Sequence, residues 1–233
     1  VDNPMVYCMD PTFIGLHKAS GSEMSSKAVK KLSSEERVGT FVQNGESLQV
    51  LEYSDIPQKI SKEKLKNGSL RFGLGSIAIH MLERNFVHRV AGSEKTKSQG
   101  LKYHGAHKKV CCLDKEGSRV HPSQPNAIKA ETFVFDALPL ACDPLLVEIN
   151  REEEFGPIKN PSGSDSCSSS EKLQISRNQR WLKVIGVPER LNKVEISPLF
   201  APTLPYFLEQ TSKFPLDLKK LSKESALIEL QNT

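Results

Sequence analysis

No stretch of this chain is long and apolar enough to cross a bilayer. A helical span needs about 20 mostly apolar residues. The longest apolar stretch, Phe133 to Ile149, is broken by Asp136, Pro139, Asp143, Pro144 and Glu148. Charge of one sign is scarce too. Lys and Arg number 32 against 28 Asp and Glu, a net +4. That is too little to argue for a nucleic-acid partner, which draws basic residues onto one face. Val1-Asp2-Asn3-Pro4 carries neither an initiator Met nor a signal-peptide pattern, so the chain reads as processed, cloned or incomplete. The five cysteines, Cys8, Cys111, Cys112, Cys142 and Cys167, are odd in number and lack C-x-x-C spacing. A reduced, cytoplasmic protein fits better than a disulfide-stapled one, with Cys111 and Cys112 read as small apolar filler. Six histidines without H-E-x-x-H or a Cys/His cluster argue against zinc. The absence of G-x-S-x-G removes a hydrolase elbow. What is present, 37% hydrophobic and 26% charged in 233 residues, is an ordinary globular composition.

Val38 to Tyr53 predicts a hairpin: β-rich Val38–Gln43, the turn pair Asn44-Gly45, then alternating Ser47–Tyr53. Gly73-x-Gly75-Ser76 before Ile77 and Met81 predicts a helix entered through glycines and capped by Ser76. Ala91 to Tyr103 reads as a loop, Lys108 to Leu113 as a strand, and Asp114–Gly117 as a turn with a return over Ser118–His121. Ile128 to Leu138 reads as a helix ended by Pro139. Leu145–Ile149 is a buried-strand candidate, followed by an acidic loop, Arg151–Phe155. Ser168-x-x-Glu171 fits a capping box for a helix toward Trp181. Lys193–Ile196 reads as a strand and Leu216–Leu230 as a terminal amphipathic helix. Strands and helices alternate to about residue 160, and loop-rich sequence follows, an α/β layer with an appended region.

Several side chains could carry chemistry, each with a plainer alternative. Asp2, at a strand end, could hold a divalent cation through hard oxygens or simply cap a turn. Glu52, beside Tyr53 at the hairpin's end, could accept hydrogen bonds from sugar hydroxyls or face solvent. Gly73-x-Gly75-Ser76 could expose amides to a ligand or be a turn, since the full G-x-G-x-x-G and a P-loop lysine are missing. Lys129, at a helix start beside Asn126, and Lys159, after three glutamates and Pro157, could neutralise phosphate or pair with nearby carboxylates.

Several segments taken together resemble one family. The run VGTFVQNGESLQVLEYSDI (Val38 to Ile56) resembles the UDP-N-acetylhexosamine pyrophosphorylases, as do PNAIKAETFVFD (Pro125 to Asp136) and REEEFGPIKN (Arg151 to Asn160). VDNPMVYCMDPTFIG (Val1 to Gly15) and VEISPLFA (Val194 to Ala201) add support, and the matches keep their order across residues 1–201. The resemblance implies a mixed α/β fold, part of a Rossmann-like nucleotidyltransferase domain of the GT-A type with a smaller C-terminal region. It places the catalytic part at residues 1–160, a flexible Ser/Gly-rich loop at 161–170 and the C-terminal region at 171–233.

The implied reaction is uridylyl transfer. A hexosamine 1-phosphate attacks the α-phosphorus of UTP, pyrophosphate leaves and a UDP-sugar forms, with Mg2+ assisting. Asp2 then looks like the metal-holding aspartate, Lys129 like the contact to nucleotide phosphates and Lys159 like the contact to the sugar phosphate. Glu52 and Tyr53 look like the sugar-binding pair, Gly39 like the glycine approached by the sugar, and Phe133 and Phe135 like aromatics near the acetyl group. Two departures stand out. Ile79 and Ser76 occupy positions where the family carries Asn, and Ile cannot supply an amide's hydrogen bonds. The family's glycine-rich phosphate loop lies upstream, so the chain matches a carboxyl-terminal half expected to be inactive alone. The alternatives are a broader UDP-sugar or UDP-glucose pyrophosphorylase, favoured by Ile79, and a non-catalytic UDP-sugar-binding module.

Overall fold

The computed structural model describes residues 2–92, 101–187, 193–216 and 225–228. In chain order the elements begin with helix α1 (Pro11–Ser20), strands β1 (Met24–Lys30), β2 (Gly39–Asn44) and β3 (Ser47–Leu51), and the one-turn helix α2 (Gln58–Ser61). Next come β4 (Leu74–Leu82), α3 (Arg84–Ala91), β5 (His104–Lys108), β6 (Cys112–Leu113), β7 (Arg119–Val120) and β8 (Ala127–Glu131). A 3-10 helix (Val134–Leu140) and β9 (Leu145–Glu148) follow, then α4 (Arg151–Glu154), α5 (Cys167–Val184), β10 (Lys193–Ile196), α6 (Leu204–Lys213) and β11 (Ser225–Ile228). Two compact units result, Thr12–Glu148 and the combination of Val1–Pro11 with Ile149–Thr233.

The unit of residues 12–148 is built on a five-stranded mixed sheet in the order β3-β2-β4-β1-β9. β9 runs parallel to β1, and the remaining pairs are antiparallel. The expected hairpin forms as β2 and β3, with Gly45 at φ 63° in its turn. Leu145–Ile149 supplies β9 as expected. The glycine-led helix does not form; Gly75 to His80 lie in β4, the sheet's central strand. Ile77 and Ile79 are β-branched and favour a pleated surface, and pairing on both sides outweighs the one-turn spacing of Ile77 and Met81. Between the pairs Ser26↔His80 and Ala28↔Ser76, three β4 residues face Lys27 alone, and Ala78 takes φ 57° in that bulge.

β1 itself has an unpromising sequence, MSSKAVK, yet its first six residues are buried. Its polar groups are met one by one. Ser25 pairs with His17 at 2.7 Å, Ser26 with His80 at 2.8 Å, and the Lys27 ammonium stands 5.3 Å from the Phe13 ring centre. On the core side Met24, Ala28, Phe41, Val50, Phe86, Phe135 and Leu138 pack together.

The helix expected over Ile128–Leu138 is absent. Residues 127–131 form β8, paired with β5, and a 3-10 helix carrying Pro139 follows. The strand expected over Lys108–Leu113 is split between β5 and β6, while the turn after it and its return form β6 and β7. Cys111 and Cys112 are exposed rather than buried filler, and all five cysteines are unpaired. Of the loop expected over Ala91–Tyr103, residues 93–100 lie outside the described residues.

In the other unit α5 packs on the parallel pair β10–β11, around Trp181, Leu182, Val194, Ile196, Phe200 and Phe207. The helix cap is Ser166 with Ser169, two residues before the expected box, and its reciprocal bonds fix the start. The expected acidic loop is the turn of helix α4. The Asn150 side chain accepts from the Glu152 amide, and acidic side chains suit a helix start. Glu153 then accepts from Arg180 at 2.7 Å and from the Trp181 indole at 2.8 Å, tying α4 to α5. The strand Lys193–Ile196 forms as β10. The terminal helix does not: residues 225–228 are β11, and residues 217–224 and 229–233 lie outside the described residues.

His80 makes stability acid-sensitive. Burial pushes its pKa from 6.5 down to about 4. Above pH 6.5 folded and unfolded chains are both neutral there. Between pH 6.5 and 4 the unfolded chain takes up a proton that the fold refuses, so stability falls as pH falls, by up to about 3 kcal/mol. Urea denaturation at pH 7 and pH 5 is expected to show this loss, and His80→Gln to flatten it. An unchanged slope in that variant would rule out His80 as its source.

Candidate functional site

In the unit of residues 12–148 the hairpin brings Gly39 and Glu52 together. Thr40 pairs with Leu51, so the two residues lie just beyond that pair. A Cβ built on Gly39 would meet Val50 Cγ1 at 2.7 Å and Glu52 Oε1 at 3.8 Å, which is why glycine stands there. Glu52 is half-buried and Tyr53 is exposed. β3 packs against the 3-10 helix, where Phe135 joins Val50 in the core and Phe133 packs at its margin. Phe133 and Phe135 stack with ring centres 4.8 Å apart. Gly39, Glu52, Phe133 and Phe135 therefore occupy one neighbourhood.

Sequence reasoning missed what holds that aromatic pair. His104 lies 5.0 Å from the Phe133 ring, and its Nε2 is 2.7 Å from Asp136 Oδ2. His104 and Asp136 are 32 residues apart, so no local spacing signals the pair.

Lys129 sits mid-strand in β8 rather than at a helix start. Its exposed ammonium lies 2.6 Å from Glu131 Oε1, and this contact holds the Glu131 carboxyl below its ordinary pKa. Alternation along β8 places both on one face, with His104 directly opposite Glu131. The neighbour Asn126 instead clamps the Val110 peptide, accepting at 2.8 Å and donating at 3.0 Å.

In the other unit Asp2 and Lys159 meet along the backbone. Asp2 is exposed and lies in no strand, contrary to expectation. Its carbonyl accepts from the Ile158 amide at 2.6 Å, one residue before Lys159. The clamp is Asn3, 4% exposed. Its amide donates to the Glu154 carbonyl at 2.7 Å, and its Oδ1 accepts from the Gly156 and Met5 amides at 2.9 and 3.3 Å. A Cβ on Gly156 would come 2.6 Å from Met5 Sδ, so glycine lets the two segments close. The Lys159 and Asn160 amides both donate to the Asp165 carbonyl, at 2.6 and 2.8 Å, leaving an exposed lysine on a fixed turn.

Among the described residues no group of three or more His, Cys, Asp or Glu could hold a metal ion. The single Asp2 carboxylate fits a cation that takes most of its shell from water and substrate phosphates, as Mg2+ does. Among the described residues no helix is long and apolar enough to cross a membrane.

A mixed sheet in a mixed α/β fold is the architecture of the pyrophosphorylases that transfer nucleotidyl groups. The structure matches a UDP-N-acetylglucosamine pyrophosphorylase of Trypanosoma brucei with TM-score 0.77 and 25% identity, over 98% of this chain and 47% of that one. No family model matches the chain. In sequence it is 38% identical over 183 residues to the human UDP-N-acetylhexosamine pyrophosphorylase-like protein 1, covering 78% of this chain and 36% of that one. It is 36% identical over 188 residues to the Xenopus tropicalis protein of that name, covering 80% of this chain and again 36% of the relative. The chain thus spans little more than a third of the length of these relatives. Over about four-fifths of its own length it is a relative of the UDP-N-acetylhexosamine pyrophosphorylases, as its motifs imply.

Proposed function

We propose that the chain contributes the sugar-phosphate side of a uridylyltransferase site, and that a full-length protein carrying it makes a UDP-sugar, foremost UDP-N-acetylglucosamine, from UTP and a hexosamine 1-phosphate. The observation carrying this reading is the placement of Glu52 Oε1 3.8 Å from a Cβ position on Gly39, beside Val50, which packs with Phe135 of the stacked aromatic pair. A carboxylate beside a backbone stripped of side chain, near an aromatic wall, suits a polar ring with an apolar substituent. Each unit also carries a lysine that this reading uses. Lys159 neutralises the sugar phosphate, and Lys129 meets the nucleotide phosphates by exchanging Glu131 for them. Mg2+ at Asp2 would screen the two polyanions from each other. The chain's part is positioning and charge neutralisation, which bring the attacking phosphate oxygen in line with the departing pyrophosphate.

Ile79, half-buried in the β4 bulge, favours a second reading, a broader UDP-sugar or UDP-glucose pyrophosphorylase. A non-catalytic UDP-sugar-binding module is the remaining alternative. Unpaired cysteines support a reducing, cytoplasmic setting. Glu52→Ala in a full-length protein is expected to raise KM for the sugar 1-phosphate about tenfold or more while leaving that for UTP within about twofold. Equal weakening of both substrates would remove Glu52 from the sugar.

A further inference from the structure

The two stacked rings that the proposed function sets beside the sugar are held unequally. Phe135 is 9% exposed and belongs to the core of its unit, whereas Phe133 is only half-buried and packs at the core's margin. Phe133 precedes the 3-10 helix with an extended backbone, φ −119°, so no helical turn fixes its side chain. A half-buried ring that leans on stacking alone keeps rotamer freedom, and a substrate resting on it would have to remove that freedom on binding.

His104 supplies the second contact. Its ring centre lies 5.0 Å from that of Phe133, with the planes tilted by 56°. The imidazole is itself oriented: Nε2 donates to Asp136 Oδ2 at 2.7 Å, because a carboxylate only accepts. The Asp136 side chain is 14% exposed, so little water competes for the bond. The Asp136 amide in turn donates to the Phe133 carbonyl at 3.1 Å. Glu131, directly across the β5–β8 ribbon from His104, is engaged by Lys129. The contacts close a loop, from His104 to Asp136, from Asp136 to the Phe133 backbone, and from the Phe133 ring back to His104. This loop ties the β5–β8 ribbon to the 3-10 helix, with Phe133 between them.

We propose that His104, oriented by Asp136, is a positioning residue that holds Phe133 as a fixed apolar wall, and that this clamp sets the preference for an N-acetylated over an unsubstituted hexose 1-phosphate. The proposal rests on the reading that the aromatic pair lies against the acetyl group. Ile79 gives the clamp its weight. It stands where the family carries Asn and offers no hydrogen bond to an acetamide, so selection falls to shape and apolar contact. Such contact discriminates only while the wall keeps its place; in a firm pocket one methylene is worth about 10- to 200-fold.

The test is the ratio of kcat/KM for N-acetylglucosamine 1-phosphate to that for glucose 1-phosphate, in a full-length protein carrying the chain. The ratio does not depend on how much of a variant folds, because both sugars meet the same active molecules. Phe133→Ala is the reference and is expected to lower the ratio about tenfold or more. His104→Ala is expected to lower it about fivefold, with the loss falling on the N-acetylated sugar. Asp136→Ala should do the same, and the double variant no worse than either, because the two side chains act as a unit. Asp136→Asn, whose amide oxygen still accepts, should keep most of the ratio, a rescue that general damage to the fold would not give. Should the alanine variants not fold, His104→Gln, which removes the ring but keeps a donor for Asp136, is expected to show the same sugar-specific loss. A lowered ratio in Phe133→Ala but an unchanged one in the His104 and Asp136 variants would leave the sugar reading standing and overturn the clamp. An unchanged ratio in Phe133→Ala would remove the aromatic pair from the sugar, and the clamp with it.

Discussion

Asn3→Ala is expected to destabilise the unit that contains it by about 3 kcal/mol. Asn3 makes three bonds from a buried position, to the Glu154 carbonyl and the Gly156 and Met5 amides. Alanine removes all of them and returns none. The Gly156 amide lies in a buried residue, so water does not replace the lost acceptor. Each orphaned buried group costs about 1–3 kcal/mol, and two such groups set the scale. The chain's one tryptophan, Trp181, lies in the same unit and reports its unfolding by fluorescence. With a urea slope of about 2 kcal/mol per molar, the midpoint should fall by about 1.5 M. A change within about 0.5 kcal/mol would show that the clamp is not structural. In a full-length protein the same variant should also lose activity, since Asn3 sets the register between Asp2 and Ile158.

Lys159→Ala is expected to do the opposite, losing function while keeping the fold. Lys159 is exposed, and its position comes from backbone bonds to Asp165 and from the buried Pro157 turn. Removing its side chain should change stability by no more than about 0.5 kcal/mol. If its ammonium neutralises the sugar phosphate as charge shifts toward pyrophosphate, kcat/KM in a full-length protein should fall about 10²- to 10³-fold. Lys159→Arg should recover part of the loss, because the charge survives but the point geometry does not. Wild-type turnover in the alanine variant would remove Lys159 from the site.

The contrast between these residues explains how much was readable in advance. Turn chemistry and simple alternation found the β2–β3 hairpin, β9 and β10, because Asn44-Gly45 and the apolar runs act locally. α5 was found too, with its cap misplaced by two residues, since serine fills positions 166, 168, 169 and 170 alike. β1 escaped notice because its burial depends on side chains outside the strand, Phe13 and His17 in the preceding helix and the distant His80, that meet its serines and lysine. β4 and β8 were misread as helices because an i,i+4 spacing is a weak vote against pairing at a sheet centre or in a ribbon. Of the candidate residues, Glu52, Gly39 and the phenylalanines were named through motifs, and the hairpin explains why Gly39 and Glu52 meet. Asn3, Glu131, His104 and Asp136 were not. Asn3, His104 and Asp136 act through contacts made across long sequence separations, and Glu131 through a strand where a helix was expected.

The central claim is that this chain carries the sugar-phosphate half of a uridylyl-transfer site. Its most direct test is pyrophosphate release by a full-length protein carrying the chain, with UTP and either N-acetylglucosamine 1-phosphate or glucose 1-phosphate. The account predicts Mg2+-dependent release with the N-acetylated sugar, at a kcat/KM above that for glucose 1-phosphate. No release with either sugar, from a folded protein that still binds UTP, would contradict it.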